Sequence, residues 1–400
     1  MTSQNLLMIP GPIEVSPRVL AALAGAPPSH VAPDFLESFG AALEMMRELW
    51  QSGPASQPFV IAGSGTIAME MAVANVVARG HRALVVHTGY FSARIAEMLR
   101  RRGVEVSEVG APAGQAPGLD AIEVALDAAQ DEGRPYDALF ATHVDTSTGV
   151  RVDAQAIAQA ADRRGVLSVF DAVCATGAEA FEMENWGADV YLTASQKAIG
   201  APPGLALMVL SERALNARKT LCEPPPLSVD IAQWLPIMQA YEARRPSYFS
   251  TPATGLVRAL HTSLTEICAF EDGEARGIQA RIAAHRRCAN GMRAAWKALG
   301  LDLLPADPQL AANTLSAIFY PEGVDSSLVA AISARGVTVA GGLYPGRQHE
   351  YFRVGHMGYV VERPDLLAKT VRAVGEALCE KGYPADVEAA LGALREVVGA

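Results

Sequence analysis

The sequence has few charges and no excess of basic ones, and this excludes several classes of function. Only 19% of the residues are charged and the formal net charge is −10, so the chain has no general attraction for nucleic-acid backbones or anionic lipids. Half of the residues are hydrophobic, at 50%, and the glycines and prolines are scattered, which excludes disordered and collagen-like classes. The composition therefore predicts a compact globular protein with neither nucleic acid nor a membrane as partner.

Cysteine pairs and long apolar runs are also missing. The five cysteines are an odd number and include no CxxC pair, so neither a disulfide framework nor a zinc site is indicated. The amino terminus lacks the basic segment and apolar run of a signal peptide. No stretch reaches the roughly 18 consecutive apolar residues that a membrane span needs. Together these absences predict a cytoplasmic protein.

Short apolar runs alternate with amphipathic stretches from about residue 57 onwards. This order predicts strands that alternate with helices in a parallel sheet. Strands that are apolar on both faces require helices on both sides of the sheet. We therefore expect an α/β fold with a large, doubly wound, mostly parallel sheet. The predicted strands are 58–62, 83–87, 104–109, 137–142, 166–170, 189–193 and 205–210.

The pattern changes in the second half of the chain. A Pro-rich stretch at 223–226 interrupts the alternation and predicts an irregular surface excursion from about 222 to 254. Beyond it, a long helical stretch, two strand-like runs and two terminal amphipathic helices indicate a smaller C-terminal α+β domain. These elements are expected at 272–299 for the helix and at 314–319 and 337–340 for the strands.

Two loops that follow predicted strands carry residues suited to ligand binding. In an open parallel sheet, ligands bind beyond the carboxyl ends of the strands. The turn at 63–66, Gly-Ser-Gly-Thr, offers N–H groups, hydroxyls and a helix dipole to a phosphate, although a capped glycine turn explains it equally well. Asp171 ends an apolar strand, where a carboxylate needs a cationic partner such as a protonated ligand nitrogen, unless it caps a helix.

A third loop carries Lys197, between an apolar strand and a stiff Pro-Pro-Gly turn. Burial at this position would lower the pKa of the amine and make it nucleophilic. Asp171 and Lys197 lie one strand–helix–strand step apart, which places them beyond adjacent strand ends. The anion cradle, the acid and the amine together predict pyridoxal phosphate, since they match its phosphate, its pyridine nitrogen and its aldehyde.

Several motifs resemble those of class V aminotransferases, in the alanine–glyoxylate and serine–glyoxylate branch. They are Ser-Gln-Lys-Ala-Ile-Gly-Ala-Pro-Pro-Gly at 195–204, Leu-Met-Ile-Pro-Gly-Pro at 7–12, Gly-Ser-Gly-Thr at 63–66, Thr-His-Val-Asp-Thr-Ser-Thr-Gly at 142–149, Asp-Ala-Val-Cys at 171–174 and Phe-Arg-Val-Gly-His-Met-Gly at 352–358. Parts of the chain look most similar to the fungal type of alanine–glyoxylate aminotransferase. The resemblance implies fold type I of the pyridoxal-phosphate-dependent transferases. The expected parts are an N-terminal arm at 1–16, a large cofactor-binding domain at 17–265 and a small C-terminal domain at 266–400.

The resemblance also implies roles for individual residues. Lys197 would form a Schiff base with the cofactor, and Asp171 would pair with its pyridinium nitrogen. Arg353 would bind the substrate carboxylate, with Arg347 as a nearby alternative. The other implied cofactor contacts are Ser64, Gly65, Thr66, the stacking ring of Phe91, Thr146, Val173 and Gln196, together with Tyr248 and Thr251, which would reach the partner's cofactor across a homodimer.

Two further polar residues near these motifs are given structural interpretations. Asp145 is interpreted as a local hydrogen-bonding residue, and His356 as a packed residue that neither binds metal nor transfers protons. No metal site is expected.

The activity implied by the resemblance is transfer of the amino group of L-alanine to glyoxylate by a ping-pong mechanism, in a homodimer with shared active sites. Serine–glyoxylate, ureidoglycine–glyoxylate or aminoethylphosphonate aminotransferases would use the same residues with another donor. A cysteine desulfurase is disfavoured, because no cysteine lies in a mobile Ser/Gly-rich loop. A non-catalytic ligand-binding protein of the same fold is the remaining alternative.

Overall fold

A computed structural model describes residues 5–399 of the chain. The strands are β1 (Leu6–Leu7), β2 (Gln57–Ala62), β3 (Arg82–His87), β4 (Glu105–Gly110), β5 (Ala138–Thr142), β6 (Val144–Asp145), β7 (Val150–Arg151), β8 (Leu167–Asp171), β9 (Val190–Ala194), β10 (Leu205–Leu210), β11 (Glu271–Asp272), β12 (Ala275–Arg276), β13 (Leu315–Phe319), β14 (Val337–Thr338), β15 (Ala340–Gly341) and β16 (Tyr351–Gly355). The helices are α1 (Pro17–Ala24), α2 (Pro33–Leu49), α3 (Gly65–Val76), α4 (Tyr90–Arg101), α5 (Leu119–Asp131), α6 (Ala154–Asp162), α7 (Glu212–Thr220), α8 (Ile231–Glu242), α9 (Thr254–Cys268), α10 (Gly277–Ala298), α11 (Ser327–Ala334), α12 (Pro364–Glu380) and α13 (Val387–Val398).

The main sheet has seven strands in the order β2-β10-β9-β8-β5-β3-β4. The strands from β9 to β4 run parallel to their neighbours, whereas β10 is antiparallel to both β9 and β2. Its central strands β5, β8 and β9 are buried at every residue, as expected for a sheet covered on both faces. The predicted α/β fold with a mostly parallel sheet is therefore confirmed.

The described residues form two large hydrophobic cores. The first surrounds the main sheet and is built almost entirely between Ile13 and Ile267. The second combines Leu6 and Met8 with side chains of α10, α11, α12, α13, β13 and β16. Leu6 pairs in parallel with Val337 of β14, so the N-terminal arm packs on the C-terminal part of the chain. The domain bounds themselves stay a prediction.

Two sequence expectations about the second half of the chain need correction. The stretch from 222 to 254 is not wholly irregular, because α8 lies within it and buries Trp234 and Tyr241. Pro236 stands inside this helix, and such a proline interrupts the apolar periodicity that would reveal a helix. The strand β16, which carries Arg353, was not predicted at all. None of the helices within residues 5–399 combines the length and the apolar character that a membrane span requires.

Candidate active site

Lys197 lies in a tight turn between β9 and β10, and hydrogen bonds fix the turn. The N–H of Gly200 donates to the carbonyl of Lys197 at 2.8 Å, and the N–H of Ala201 donates to that of Ser195 at 3.0 Å. The Ser195 hydroxyl donates to the carbonyl of Pro202 at 2.7 Å. The turn therefore presents Lys197 at the carboxyl end of β9, where parallel sheets bind ligands.

The Lys197 side chain is buried, with 7% of its surface exposed, and its Nζ donates to the carbonyl of Pro10. Burial lowers the pKa of this amine, and the positive charge of Arg353 adds to that effect, while Asp171 opposes it. Gly11 has a φ of 101°, and a Cβ atom there would lie 2.8 Å from Nζ. A lowered pKa favours the neutral amine, which is the nucleophilic form.

Asp171 is the last residue of β8 and is 2% exposed. Its Oδ1 accepts a hydrogen bond from the N–H of Val173 at 3.0 Å. Burial raises the pKa of the carboxyl to about 7, against the opposing effects of this hydrogen bond and of the charges on Lys197 and Arg94. Because no salt bridge to Asp171 exists within residues 5–399, the carboxyl is available to a cationic group of a ligand.

Ser64, Gly65 and Thr66 form the turn from β2 into α3. The Ser64 side chain does not cap α3, so the first N–H groups of the helix have no partner within it, and its positive dipole end faces the turn. A Cβ at Gly65 would lie 2.9 Å from Cγ2 of Val173, so only glycine lets the helix approach the strand ends this closely. The turn has the features of an anion site next to the Asp171 carboxyl.

Phe91 lies half-buried in the first turn of α4, and Asp145 fixes this turn. One oxygen of Asp145 accepts from the N–H groups of Phe91 and Ser92 at 3.2 and 3.3 Å. The other accepts from the N–H and the hydroxyl of Ser147 at 3.0 and 2.6 Å. Asp145 thus joins the start of α4 to the buried turn that contains Thr146, a hydrogen-bonding arrangement of the kind the sequence interpretation assigns to it.

Arg353 extends from β16 toward the same turn. Its Nε donates to the carbonyl of Gly341 at 2.8 Å, and its Nη1 donates to the carbonyl of Thr146 at 3.0 Å. The side chain is 9% exposed, and burial lowers the pKa of the guanidinium. Since these bonds use two of the five guanidinium N–H groups, the others can bind a carboxylate in a bidentate manner.

Three of the predicted cofactor-binding residues are unpartnered or exposed in the single chain. The Oε1 atom of Gln196 is buried without a hydrogen-bond partner in the described residues. Tyr248 is 64% exposed. Thr251 is also exposed, and it lines a cavity of about 200 Å³ whose other lining side chains are mainly apolar, such as Trp234. Within residues 5–399, no hydrogen bond joins Tyr248 or Thr251 to Lys197.

Two further residues that the sequence singles out have partners of their own. Arg347 pairs with Glu350, with 2.7 Å between Nε and Oε2. His356 is fully buried, and its Nε2 lies 3.0 Å from the Ser316 hydroxyl. Burial lowers the pKa of His356 to about 3, so the ring is neutral near pH 7.

The structure adds three groups that the sequence interpretation missed. Arg94 donates through Nη1 to Oγ1 of Thr66 at 3.2 Å. The Tyr351 hydroxyl donates to the carbonyl of Ser147 at 2.6 Å, and the Pro10 carbonyl accepts from Lys197. Helical spacing from Phe91 is the only sequence signal for Arg94. Pro10 lies within the motif at 7–12, and for Tyr351 we find no signal.

The residues fit pyridoxal phosphate. A buried amine, a buried carboxyl without a salt bridge and an open helix start match its aldehyde, ring nitrogen and phosphate. The unpartnered Oε1 of Gln196 also indicates that a ligand completes this region.

Comparison with known proteins gives relatives over almost the whole chain. The sequence model described as Aminotransferase class-V matches residues 29–339. Alanine–glyoxylate aminotransferase 1 of Saccharomyces cerevisiae is 37% identical over 370 residues, which cover 89% of this chain and 92% of the relative. L-aspartate–glyoxylate aminotransferase of Paracoccus denitrificans is 32% identical over 400 residues, which cover 99% and 96%. The crystal structure of alanine–glyoxylate aminotransferase from Nostoc sp. gives a TM-score of 0.85 at 26% identity, over 94% of this chain and 96% of that one.

These matches confirm the family resemblance and the fold type that the motifs indicate. The matched range covers the main sheet, the Lys197 turn and the C-terminal part as far as β14, and it ends before β16. The protein therefore belongs to the class V aminotransferases, pyridoxal-phosphate-dependent enzymes of fold type I that act on amino acids and 2-oxo acids.

Proposed function

We propose that the protein transfers the amino group of L-alanine to glyoxylate, producing pyruvate and glycine, with Lys197 as the amine that binds the cofactor. The observation that carries the proposal is the burial of Lys197 in a site where the charges of Asp171 and Arg353 both act on its pKa. This site combines a nucleophilic amine, an acid for a ring nitrogen and a carboxylate clamp. The names of the yeast and Paracoccus relatives support glyoxylate as the acceptor.

Each of the three residues has a distinct task in the proposed reaction. The bound cofactor supplies an electron sink for the negative charge that develops at the substrate Cα. Nζ of Lys197, free once the substrate amine has taken its place, would take the proton from Cα as a general base, which its lowered pKa favours. The Asp171 carboxylate keeps the ring nitrogen protonated, and Arg353 orients the substrate carboxylate so that the Cα proton points at Nζ.

The other predicted residues are proposed to hold the cofactor. Ser64, Gly65 and Thr66 would bind the phosphate through N–H groups and hydroxyls, with Gln196 beside them. Phe91 would stack on the ring, and Val173 would pack on its other face. Thr146 would lie beside the ring oxygen. The hydrogen bond from Arg353 to the Thr146 carbonyl supports a place for Thr146 in the site, because it holds Thr146 beside the proposed substrate-binding guanidinium.

The surroundings of Arg353 support a donor with a single carboxylate. Arg347 is already paired with Glu350, so it is not free to bind the second carboxylate of a donor such as L-aspartate. L-serine differs from L-alanine by one hydroxyl, and a serine–glyoxylate activity is the second candidate.

We propose that the active enzyme is a homodimer with shared sites. Tyr248 and Thr251 are exposed in the single chain. The apolar residue Leu227 is 65% exposed, and it precedes Ser228, which lines the same cavity as Thr251. An exposed tyrosine beside apolar surface is typical of an interface. Tyr248 and Thr251 of each protomer would reach the phosphate in the other.

The absorption spectrum of the purified, cofactor-loaded protein tests the proposed reaction. Adding L-alanine should remove the near-visible band, and adding glyoxylate should restore it, because the two half-reactions are separate. L-serine and L-aspartate in place of L-alanine define the donor. A band that does not respond to L-alanine but responds to L-serine excludes the proposed donor and keeps the enzyme class.

A further inference from the structure

The side chain of Arg94 connects the predicted phosphate turn to the predicted stacking ring. Its Nη1 donates to Oγ1 of Thr66 at 3.2 Å, and its Nη2 donates to the hydroxyl of Tyr90 at 2.8 Å. The guanidinium carbon lies 4.8 Å from the centre of the Tyr90 ring and 5.3 Å from that of Phe91. Two hydrogen bonds and two ring contacts therefore fix the guanidinium at the open start of α3.

Arg94 has no acidic partner within the described residues, unlike the other arginines of α4. Arg100 pairs with Glu108, and Arg101 pairs with Glu97. Arg94 is also half-buried, and its charge acts on the Asp171 carboxyl. A guanidinium that is held in place and has no anionic partner is available to pair with the negative charge of a ligand.

A phosphate group bound at this turn would be held more tightly with a cation beside it. The turn at 63–66 offers neutral N–H and hydroxyl donors and the partial charge of a helix dipole, and Gln196 is neutral as well. No lysine or other arginine hydrogen-bonds a residue of this turn in the part of the chain that the structure describes.

We propose that Arg94 supplies the positive charge that binds the cofactor phosphate. This inference rests on the proposed cofactor site. The bonds to Thr66 and Tyr90 use two of the five guanidinium N–H groups, so a phosphate can receive two of the remaining three.

The test compares the affinities of pyridoxal phosphate and pyridoxal, which lacks the phosphate. Both are titrated by absorbance into the full-length chain after cofactor removal, as the wild type and as Arg94→Gln. We expect the variant to bind pyridoxal phosphate about 10- to 100-fold more weakly, the loss typical of a charge-assisted hydrogen bond, and to bind pyridoxal as the wild type does. Arg94→Lys should recover part of the loss, since it keeps the charge without the planar fork.

Arg100→Gln is the matched control, because it removes an exposed arginine of the same helix that already has a partner. It should leave both affinities unchanged. Equal losses for pyridoxal phosphate and pyridoxal in Arg94→Gln would overturn the inference and assign Arg94 a packing role. Unchanged affinity for both would also overturn it. If the wild type binds neither compound, the proposed function fails instead, so the two failures are distinguishable.

Discussion

Arg353 and Thr146 are joined by a hydrogen bond of 3.0 Å from Nη1 to the carbonyl oxygen. It links β16, which packs in the second core, to a turn beside the main sheet. A second bond connects the same parts, from the Tyr351 hydroxyl to the carbonyl of Ser147 at 2.6 Å. The guanidinium is thus positioned before any substrate arrives, which reduces the ordering that binding would otherwise require.

Arg353→Lys should weaken the use of both substrates, because lysine cannot form two parallel bonds to a carboxylate. We expect kcat/KM for L-alanine and for glyoxylate to fall about 10- to 100-fold, as the loss of a charge-assisted bidentate contact predicts. Steady-state kinetics with each substrate varied in turn measure this. Arg347→Lys, which alters an arginine paired with Glu350, is the control, and an equal effect there would contradict the assignment of Arg353.

Asp171→Asn should change how the stability of the cofactor-free protein depends on pH. Burial raises the pKa of Asp171 from 3.8 to about 7, so between these values the folded chain holds a proton that the unfolded chain releases. The free energy of unfolding therefore falls as pH rises through this window, by on the order of 4 kcal/mol. The Asn variant lacks this contribution.

Urea unfolding of the wild type and Asp171→Asn between about pH 4 and about pH 8 measures the difference. The buried residues His143, His285 and His356, whose pKa values burial lowers to about 3, contribute equally to both proteins and cancel. Identical pH slopes would contradict the assignment of a raised pKa to Asp171.

Gly11→Ala should impair catalysis through Lys197. The added Cβ would lie 2.6 Å from Cδ and 2.8 Å from Nζ of Lys197, so the amine must move. We expect kcat to fall by about 10- to 100-fold, because moving a reacting group by about 1 Å costs up to about 100-fold in rate. Gly133→Ala is the matched control, because Gly133 also has a positive φ, 68°, but nothing within 4 Å of its Cβ position. If both variants lose equal activity, backbone conformation and not the contact with Lys197 explains the effect.

Mixed dimers test the shared sites. Lys197→Ala and Tyr248→Ala should each be inactive or severely impaired as homodimers. Co-expression should restore activity, because one site of the mixed dimer then receives an intact Lys197 from one chain and an intact Tyr248 from the other. Mixed dimers that form but stay inactive would place both residues in the same chain's site.

The sequence predicted most of the main sheet because its strands are short, apolar and separated by amphipathic helices. The turn at 63–66 lies between a strand and a helix, and the turn at 195–204 lies between two strands, as expected. The antiparallel direction of β10 and the position of β2 beside it were not predicted. Strand direction depends on tertiary packing, which a local pattern does not record.

Contacts within the site show the same limit. Motifs led to the prediction of Lys197, Asp171 and Arg353 as site residues, because each has a distinctive neighbourhood in the sequence. The contact of Lys197 with Pro10 and Gly11, and that of Arg94 with Thr66, join segments that are distant along the chain. Only the fold brings these segments together, and neither Pro10 nor Arg94 has a side-chain type that marks the contact in advance.

Borohydride reduction followed by peptide mass spectrometry tests most directly whether Lys197 binds the cofactor. The wild-type protein, loaded with pyridoxal phosphate and reduced, should carry a pyridoxyl group on Lys197, whereas Lys197→Ala should carry none and should not transaminate. A pyridoxyl group on another lysine of the wild type, or undiminished transamination by Lys197→Ala, would contradict the assignment.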